Sequence, residues 1–248
     1  MSTAWEAPAI ILSARPFGEG GAVVHVITRD HGHHAGLVRG GASRAQSALW
    51  QAGNMIEARW VARLADQLGN LSGEMVHPAA ALAMDEPLAL AVLSALCAVA
   101  EAALPEREPH PALFEGMVQV VSRLVHGAAP AMPDYVRWEA MLLAELGFGI
   151  DLSACAVTGG ADDLVFVSPR SGRAVSSDAA KGWEDRLLPL PGFLRDAGEG
   201  GSLAAWADGL RLTGHFLERD VFHGHHRAMP DARARLAARL SSGGGTVA

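Results

Sequence analysis

Near Pro78 the chain changes its hydrophobic period, and this change limits the possible folds more than any other feature. Before it, short apolar or alternating runs occur at Ala9–Ala14, Ala22–Thr28, Ala35–Val38, Met55–Val61 and Gly69–Met75. Turn-forming stretches separate them: Pro16–Gly21, Asp30–His31–Gly32, Gly40–Ser43 and Gly53–Asn54. Period-two patterning between such breaks reads as strand. Five short strands with a longer connection from Gly40 to Gly53 fit a small closed barrel such as an OB-fold. Spacing alone does not separate that barrel from an SH3-like one.

After Pro78 the residues become Ala-, Leu- and Met-rich with helical spacing. Pro87 suits a first helical turn and Pro105 ends that helix. A second helix follows Pro111, where Leu113, Phe114, Met117, Val118, Val121, Leu124 and Val125 share a face. A third runs from about Pro133 along Tyr135, Trp138, Met141, Leu142 and Leu146 to a natural stop at Gly147. A Gly- and Ser-rich insert, from Asp151 to about Ser177, has room for a hairpin at Leu164–Val167 and Ala174–Val175. Helix returns from Gly200 to about Val221 and again from Asp231 to Leu240, before a Gly-rich tail, Ser241–Ala248, expected to fray. The expected class is α+β: a domain over residues 1–80, then a helical domain over 81–248. No repeat of fixed period is visible.

Several function classes are poorly supported. The apolar run Leu88–Leu104 is short, alanine-rich and interrupted by Glu101, so it reads as a buried helix rather than a membrane span. No charged segment followed by an apolar stretch opens the chain, so no secretory signal is expected. Cys97 and Cys155 are the only cysteines, which suits a reducing cytoplasm and gives no disulfide framework. A Walker A loop needs a lysine, and the single lysine, Lys181, follows Ala180. G-x-S-x-G, H-E-x-x-H and G-x-G-x-x-G motifs are absent. The acid pairs Asp85–Glu86 and Asp162–Asp163 sit in turn or helix-start contexts, where carboxylates serve as caps or solvated faces. No cofactor is expected, and a non-enzymatic role is favoured.

The formal net charge is −7, so any nucleic-acid site must be a local patch. Lys181 is the only lysine among 20 basic residues. Genomic base composition explains that bias without any functional pressure, but arginine forks also suit phosphate and stack on bases. Two histidine clusters, His31–His33–His34 and His223–His225–His226, are spaced closely enough to consider a metal. Surface turn histidines are the commoner arrangement, and such rings add positive charge beside phosphate when protonated.

Three segments carry a family resemblance. "ILSARPFGEGGAVVHVITRDHGHHAGLVRGGASR" (Ile11–Arg44) combines Arg15, a Gly18–Glu19 turn, Thr28–Arg29 with Gly32, and Arg39–Gly40–Gly41. "MLLAELGFGIDLSACAVTGG" (Met141–Gly160) is a helix ending in Leu-Gly that runs into a cysteine, and "GHFLERDVFHGHHRAMPDARARL" closes the chain. Their order and spacing resemble the RecO family of bacterial recombination mediators. The resemblance implies an N-terminal OB-fold and a helical domain with a small zinc-finger-like insert. Some members have paired C-x-x-C motifs there. This chain keeps Cys155, has Thr158 at the partner position and has no cysteine around Ser168–Ser176, so no zinc is expected. Gly159–Gly160 and Ser171–Gly172 would supply the turns.

The resemblance further implies binding of single- and double-stranded DNA, strand annealing, and help in loading RecA onto strands coated by single-stranded-DNA-binding protein. The implied partners are RecR and the acidic, hydrophobic C-terminal tail of the coating protein. Candidate DNA contacts are Arg15, Arg29, Arg39, Arg44, Arg59 and Arg63, helped by His31, His33 and His34, with Phe17 and Trp50 as candidate stacking partners and Trp50 equally readable as core. Arg39 and Arg44 flank a flexible Gly-Gly segment and lead that group. Each arginine has an alternative reading as a solvated strand residue. Residues 1–79 hold six Arg against six Asp and Glu, so the charges must segregate to make a patch. Candidate contacts to the protein tail are Arg123, Arg137, Arg211, Arg219 and Arg227. The stretch Arg211–Arg239 is the most positive, with six Arg against Glu218, Asp220 and Asp231. Two other readings stand beside this one: a protein-interaction module without direct DNA contact, and, more distantly, a metal-dependent hydrolase using the histidines.

Overall fold

Five strands close into a barrel in the order β1-β2-β3-β5-β4. They are β1 (Thr3–Phe17), β2 (Gly21–Thr28), β3 (Gly32–Val38), β4 (Met55–Ala62) and β5 (Asn70–His77). The computed structural model describes residues 3–44, 46–64, 67–196, 198–225 and 227–243. The chain divides into two compact units, Met1–Ala128 and Ala129–Ala248.

The barrel closes because β1 is long and bent. Its first half pairs with β4 (Trp5 opposite Trp60) and its second half with β2, with an irregularity between Ile11 and Ser13. One strand thereby serves two neighbours, and a bulge supplies the change of direction. β3 and β5 meet in parallel at Leu37 and Asn70, a connection consistent with an OB-fold. Inward residues alternate with outward ones along β4: Ile56, Ala58, Trp60 and Ala62 are buried, whereas Glu57 and Arg59 are exposed. Trp5, Val24, Val26, Trp50, Ile56, Trp60 and Leu71 belong to the core.

β1 begins six residues before the expected run. Thr3–Pro8 lacks a strong apolar alternation, and its extended form comes from pairing with β4. β3 begins three residues early and takes His33 and His34 out of the turn and into the strand. The reason is tertiary: both rings have a buried neighbourhood to enter. At Gly32 (φ +68°) a Cβ would lie 2.1 Å from the Glu108 carbonyl oxygen, so only glycine lets the β2–β3 turn meet the segment after the first long helix.

Three helices complete the first unit: α1 (Ala79–Ala83), α2 (Pro87–Ala103) and α3 (Pro111–Leu124). Pro87 stands in a first turn, as expected, and so does Pro111, which the second helix includes rather than follows; in both places the missing N–H is harmless. Ser13 and Arg15 of β1 both bond Glu101 of α2, at 2.7 and 2.8 Å. The apolar Leu88–Leu104 run is the buried helix expected of it, and no described helix is long and apolar enough to cross a membrane.

α4 (Ala128–Glu145) starts five residues before Pro133, which it carries inside. The Ala128 N–H donates to both carboxylate oxygens of Glu86 at 3.1 Å, so the early turn is capped. In the second unit, β6 (Leu164–Val167), β7 (Ala174–Ser176) and β8 (Leu188–Pro189) form a three-stranded sheet in the order β7-β6-β8, with α5 (Ser177–Ala180) after β7. The expected hairpin is there, and β8 is an addition too short for any sequence period to show. α6 (Leu203–Phe216) runs into a π-helical turn, Leu217–Phe222, and α7 (Asp231–Gly243) follows. A buried ion pair between Glu139 and Arg233 joins α4 to α7, and α6 is tied to it through the Thr213 hydroxyl and the Leu210 carbonyl.

Candidate nucleic-acid interface

The outer face of β4 and β5 forms a cleft of about 550 Å³ with the end of β3 and the loop that follows it. Arg39 at the end of β3 and Arg59 on β4 both line it. Trp50, from the loop, lines it as well and is almost wholly buried, its Nε1–H donating to Gln46 Oε1 at 3.4 Å. Ser72 and Gly73 of β5 present little bulk on the floor. Two cations over a small-residue floor form a surface able to receive a phosphate, with Trp50 packed beneath it as part of the core.

The six candidate arginines separate by their partners. Arg15 bonds Glu101 at 2.8 Å, and Arg29 pairs with Asp30 at 3.0 Å and Glu115 at 2.9 Å, so these two also tie strands to α2 and α3. Arg59 pairs with Glu6 at 3.1 Å, both groups well exposed, which is a weak attachment that water and salt loosen. Among the described residues Arg39, Arg44 and Arg63 have no ion pair, and all three are exposed. Arg39 and Arg59 come together in the cleft; Arg44 is carried on its loop, and Arg63 follows β4 outside it. A second hollow of about 480 Å³ adjoins the cleft through Arg59, Ser72 and Gly73 and is lined by Glu6, Glu57 and Glu74. Glu57 and Glu74 are direct cross-strand partners. The positive surface therefore ends sharply at Arg59. Phe17, the last residue of β1, is 57% exposed and is not among the residues lining the cleft.

The histidines do not act as one surface group. His33 and His34 are buried, and His31 alone occupies the turn, half-buried. His33 Nδ1 lies 3.3 Å from the Leu104 carbonyl oxygen and its Nε2 lies 2.9 Å from His25 Nδ1. A carbonyl can only accept, so His33 Nδ1 is the donor to Leu104, and Nε2 is left to share the hydrogen bond with His25 Nδ1. Burial holds His25 below the ordinary imidazole value; His33 and Arg15 push the same way and Glu101 opposes them. His34 is lowered to about 4, by burial first and then by Arg107 and His31. Trp60, Trp5 and His31 lie in nearly parallel planes: Trp5 is 6.0 Å from Trp60 and 4.8 Å from His31 between ring centroids.

Arg107 and Glu101 were not singled out by sequence. Arg107 adopts a left-handed φ of 65°, donates its N–H to the His33 carbonyl at 2.7 Å and extends Nη2 to the Gln67 carbonyl at 3.1 Å. Its only local signal is a place between Pro105 and Pro109. Glu101 looks like a flaw in an apolar helix until its partners across 86 and 88 positions are seen.

The five candidates for tail recognition are scattered. Arg123 ends α3, Arg211 is exposed on α6, and Arg227 is exposed after the π turn. Arg137 is occupied with Asp134, the Phe193 carbonyl at 2.9 Å and the Glu199 carbonyl at 3.1 Å, and it lies over the Phe193 ring. Arg219 holds both oxygens of Asp220 at 2.7 Å, donates to the Pro169 carbonyl, and covers Phe216. Both arginines thus clasp loops of their own unit. His223 lies 4.0 Å from Glu218, while His226 is outside the described residues, as are Asp66 and the tail after Gly243. In the insert, Cys155 is buried and accepts from the Ser176 N–H and hydroxyl at 3.4 and 3.5 Å. The Ser176 hydroxyl first, then that of Thr158, brings its thiol down to about 6. No group of three or more His, Cys, Asp or Glu suited to a metal occurs among the described residues.

Comparison with known proteins decides the family. The model for "Recombination protein O N terminal" matches residues 1–79, and that for "Recombination protein O C terminal" matches residues 84–230. The chain belongs to the RecO family. It is 57% identical to the DNA repair protein RecO of Granulibacter bethesdensis over 239 residues, covering 96% of each chain. To the DNA repair protein RecO of Gluconacetobacter diazotrophicus it is 56% identical, over 94% of this chain and 93% of that one. To the DNA repair protein RecO of Acidiphilium cryptum the identity is 54%, over 96% and 95%. RecO membership joins the barrel of the first unit and the helices of the second into one protein matched along almost its whole length.

Proposed function

We propose that this RecO-family protein is a non-catalytic recombination mediator of the bacterial cytoplasm and nucleoid. In this reading it binds single- and double-stranded DNA through an OB-type barrel and anneals complementary strands. With RecR it assists RecA loading onto strands coated by single-stranded-DNA-binding protein. The observation that carries the reading is the cleft that gathers Arg39 and Arg59, with Arg44 exposed on the adjoining loop. Annealing needs two phosphate chains screened from each other while their bases stay available, and a short arginine patch meets that need without hydrolysing anything. The insert fits a zinc-finger-like turn that has lost its metal ligands, with hydroxyls of Ser176 and Thr158 around Cys155. For the coating protein's acidic tail, Arg123, Arg137, Arg211, Arg219 and Arg227 are the candidates, of which Arg137 and Arg219 also hold backbone carbonyls of their own unit.

The carboxylates of Glu6, Glu57 and Glu74 beside the cleft favour a second reading, in which the barrel engages only a protein partner. Affinity for a fluorescent single-stranded oligonucleotide across salt separates the two. Tight binding with a negative log–log salt slope is expected, and Arg39→Ala/Arg44→Ala should weaken it and flatten the slope by about 1.4 if each arginine meets one phosphate. A folded protein that binds no oligonucleotide at low salt leaves the protein-partner reading.

A further inference from the structure

The Trp60–Trp5–His31 column is ordered from inside to outside. Trp60 is 1% exposed and Trp5 9%, while His31 is half-buried at the β2–β3 turn. The planes deviate from parallel by only 11° and 13°. No ring contact joins His31 to Trp60 among the described residues, so Trp5 stands between them. Core packing accounts for the two indoles, which are cross-strand partners pointing inward. It does not account for a polar turn residue laid flat on the outer indole.

The His31 ring is fixed before any ligand arrives. The His31 N–H donates to Thr28 Oγ1 at 3.0 Å, which sets the turn. His34 stands edge-on to His31 at 88°, and edge-on to Trp5 and Trp60 at 80° and 74°, beside the column. At the same rim Arg107 is held in its left-handed conformation by the bond to His33, and its guanidinium is steered outward to the Gln67 carbonyl in the β4–β5 loop. A non-glycine residue in that conformation costs free energy that the surrounding contacts must offset. That loop continues into Asn70–Gly73, four residues of the arginine-lined cleft. The loop that receives Arg107 thus leads along the chain into the cleft.

The geometry points to a single-base stacking site: one unpaired nucleobase extends the column on His31, and its phosphate is met by Arg107. This rests on the DNA-binding reading and adds strand selectivity to it. Bases of a duplex are already stacked, so only a single strand can offer a face to His31. A flat aromatic platform accepts any base.

The test uses the full chain and two fluorescein-labelled oligomers about 15 nucleotides long. One is oligodeoxythymidine and the other an abasic strand of the same charge. His31→Ala is expected to lower affinity for the thymidine strand about 5- to 150-fold and to leave the abasic strand unaffected, because only the stacking partner is lost. His31→Phe should restore binding. Arg107→Ala should weaken both strands and flatten the salt slope by about 0.7. If His31→Ala binds both strands as the wild type does, or a folded His31→Phe does not restore binding, the stacking site is overturned while the arginine cleft stands. If the wild type binds neither strand, the DNA-binding reading falls and the stacking site with it.

Discussion

Replacing Arg233 by methionine isolates the energetics of the second unit. The Glu139 side chain has no solvent exposure and accepts from Arg233 Nε at 2.5 Å and Nη2 at 2.9 Å, from the Tyr135 hydroxyl at 2.6 Å and from the Thr213 hydroxyl at 2.5 Å. Arg233 also donates to the Leu210 carbonyl at 2.7 Å. Methionine keeps most of the side chain's length and removes the charge, leaving a buried carboxylate with two hydroxyl donors. Breaking one partner out of a buried pair costs about 3–5 kcal/mol. The loss in Arg233→Met should therefore be about 3–5 kcal/mol. Glu139→Leu/Arg233→Met should recover much of it, since an apolar pair of similar volume leaves no charge stranded. Urea unfolding followed by far-UV circular dichroism measures each quantity. A loss below about 1 kcal/mol, or a double variant no more stable than Arg233→Met, would refute the reasoning.

Other consequences follow from the same contacts. His34 has a folded value of about 4 against an ordinary value of about 6.5, so its neutral form is favoured on folding. Its contribution is fully present above about pH 6.5 and is lost as pH falls toward 4, by about 3 kcal/mol in all; His34→Phe should flatten that part of the urea-midpoint profile. Gly32→Ala should destabilise by about 1–3 kcal/mol, because a Cβ at φ +68° meets the Glu108 carbonyl, and thermal melting will read the loss. Arg219→Ala should speed proteolysis at Ser168–Gly172 with little change in overall melting, because its guanidinium holds the Pro169 and Arg170 carbonyls. Cys97, pushed up to about 12 by burial, and Cys155, buried despite its value of about 6, should both resist a thiol-reactive dye until the protein unfolds.

Much of the architecture is legible in short stretches of sequence. Alternation in Met55–Val61 marks β4, Pro87 and Pro111 open α2 and α3, and Leu164–Val167 with Ala174–Val175 marks the insert's hairpin. These signals are local because strand period, helix period and proline geometry act over a few residues. Segments whose conformation depends on a distant neighbour were not legible: Thr3–Pro8 is a strand because β4 lies beside it, and α4 reaches back to Ala128 because Glu86 caps it. The site divides in the same way. Arg39 and Arg44 stood out beside their Gly-Gly segment, but nothing local distinguishes them from Arg15 and Arg29, which find carboxylates on α2 and α3. Nor does anything near His31 announce that Trp5 and Trp60, opposite each other on two strands, will carry its ring.

By itself, then, the sequence determined the α+β order of elements, the family, and the residue types from which any anion-binding surface must be made. The tertiary structure decided which arginines remain available, which histidines are buried, and where the positive surface stops, at Arg59 against Glu6, Glu57 and Glu74. The physical reason is range. Backbone preference is set by neighbours a few residues away, whereas charge pairing and burial are set by whatever folding brings within a few ångströms, here often from 80 or more positions along the chain.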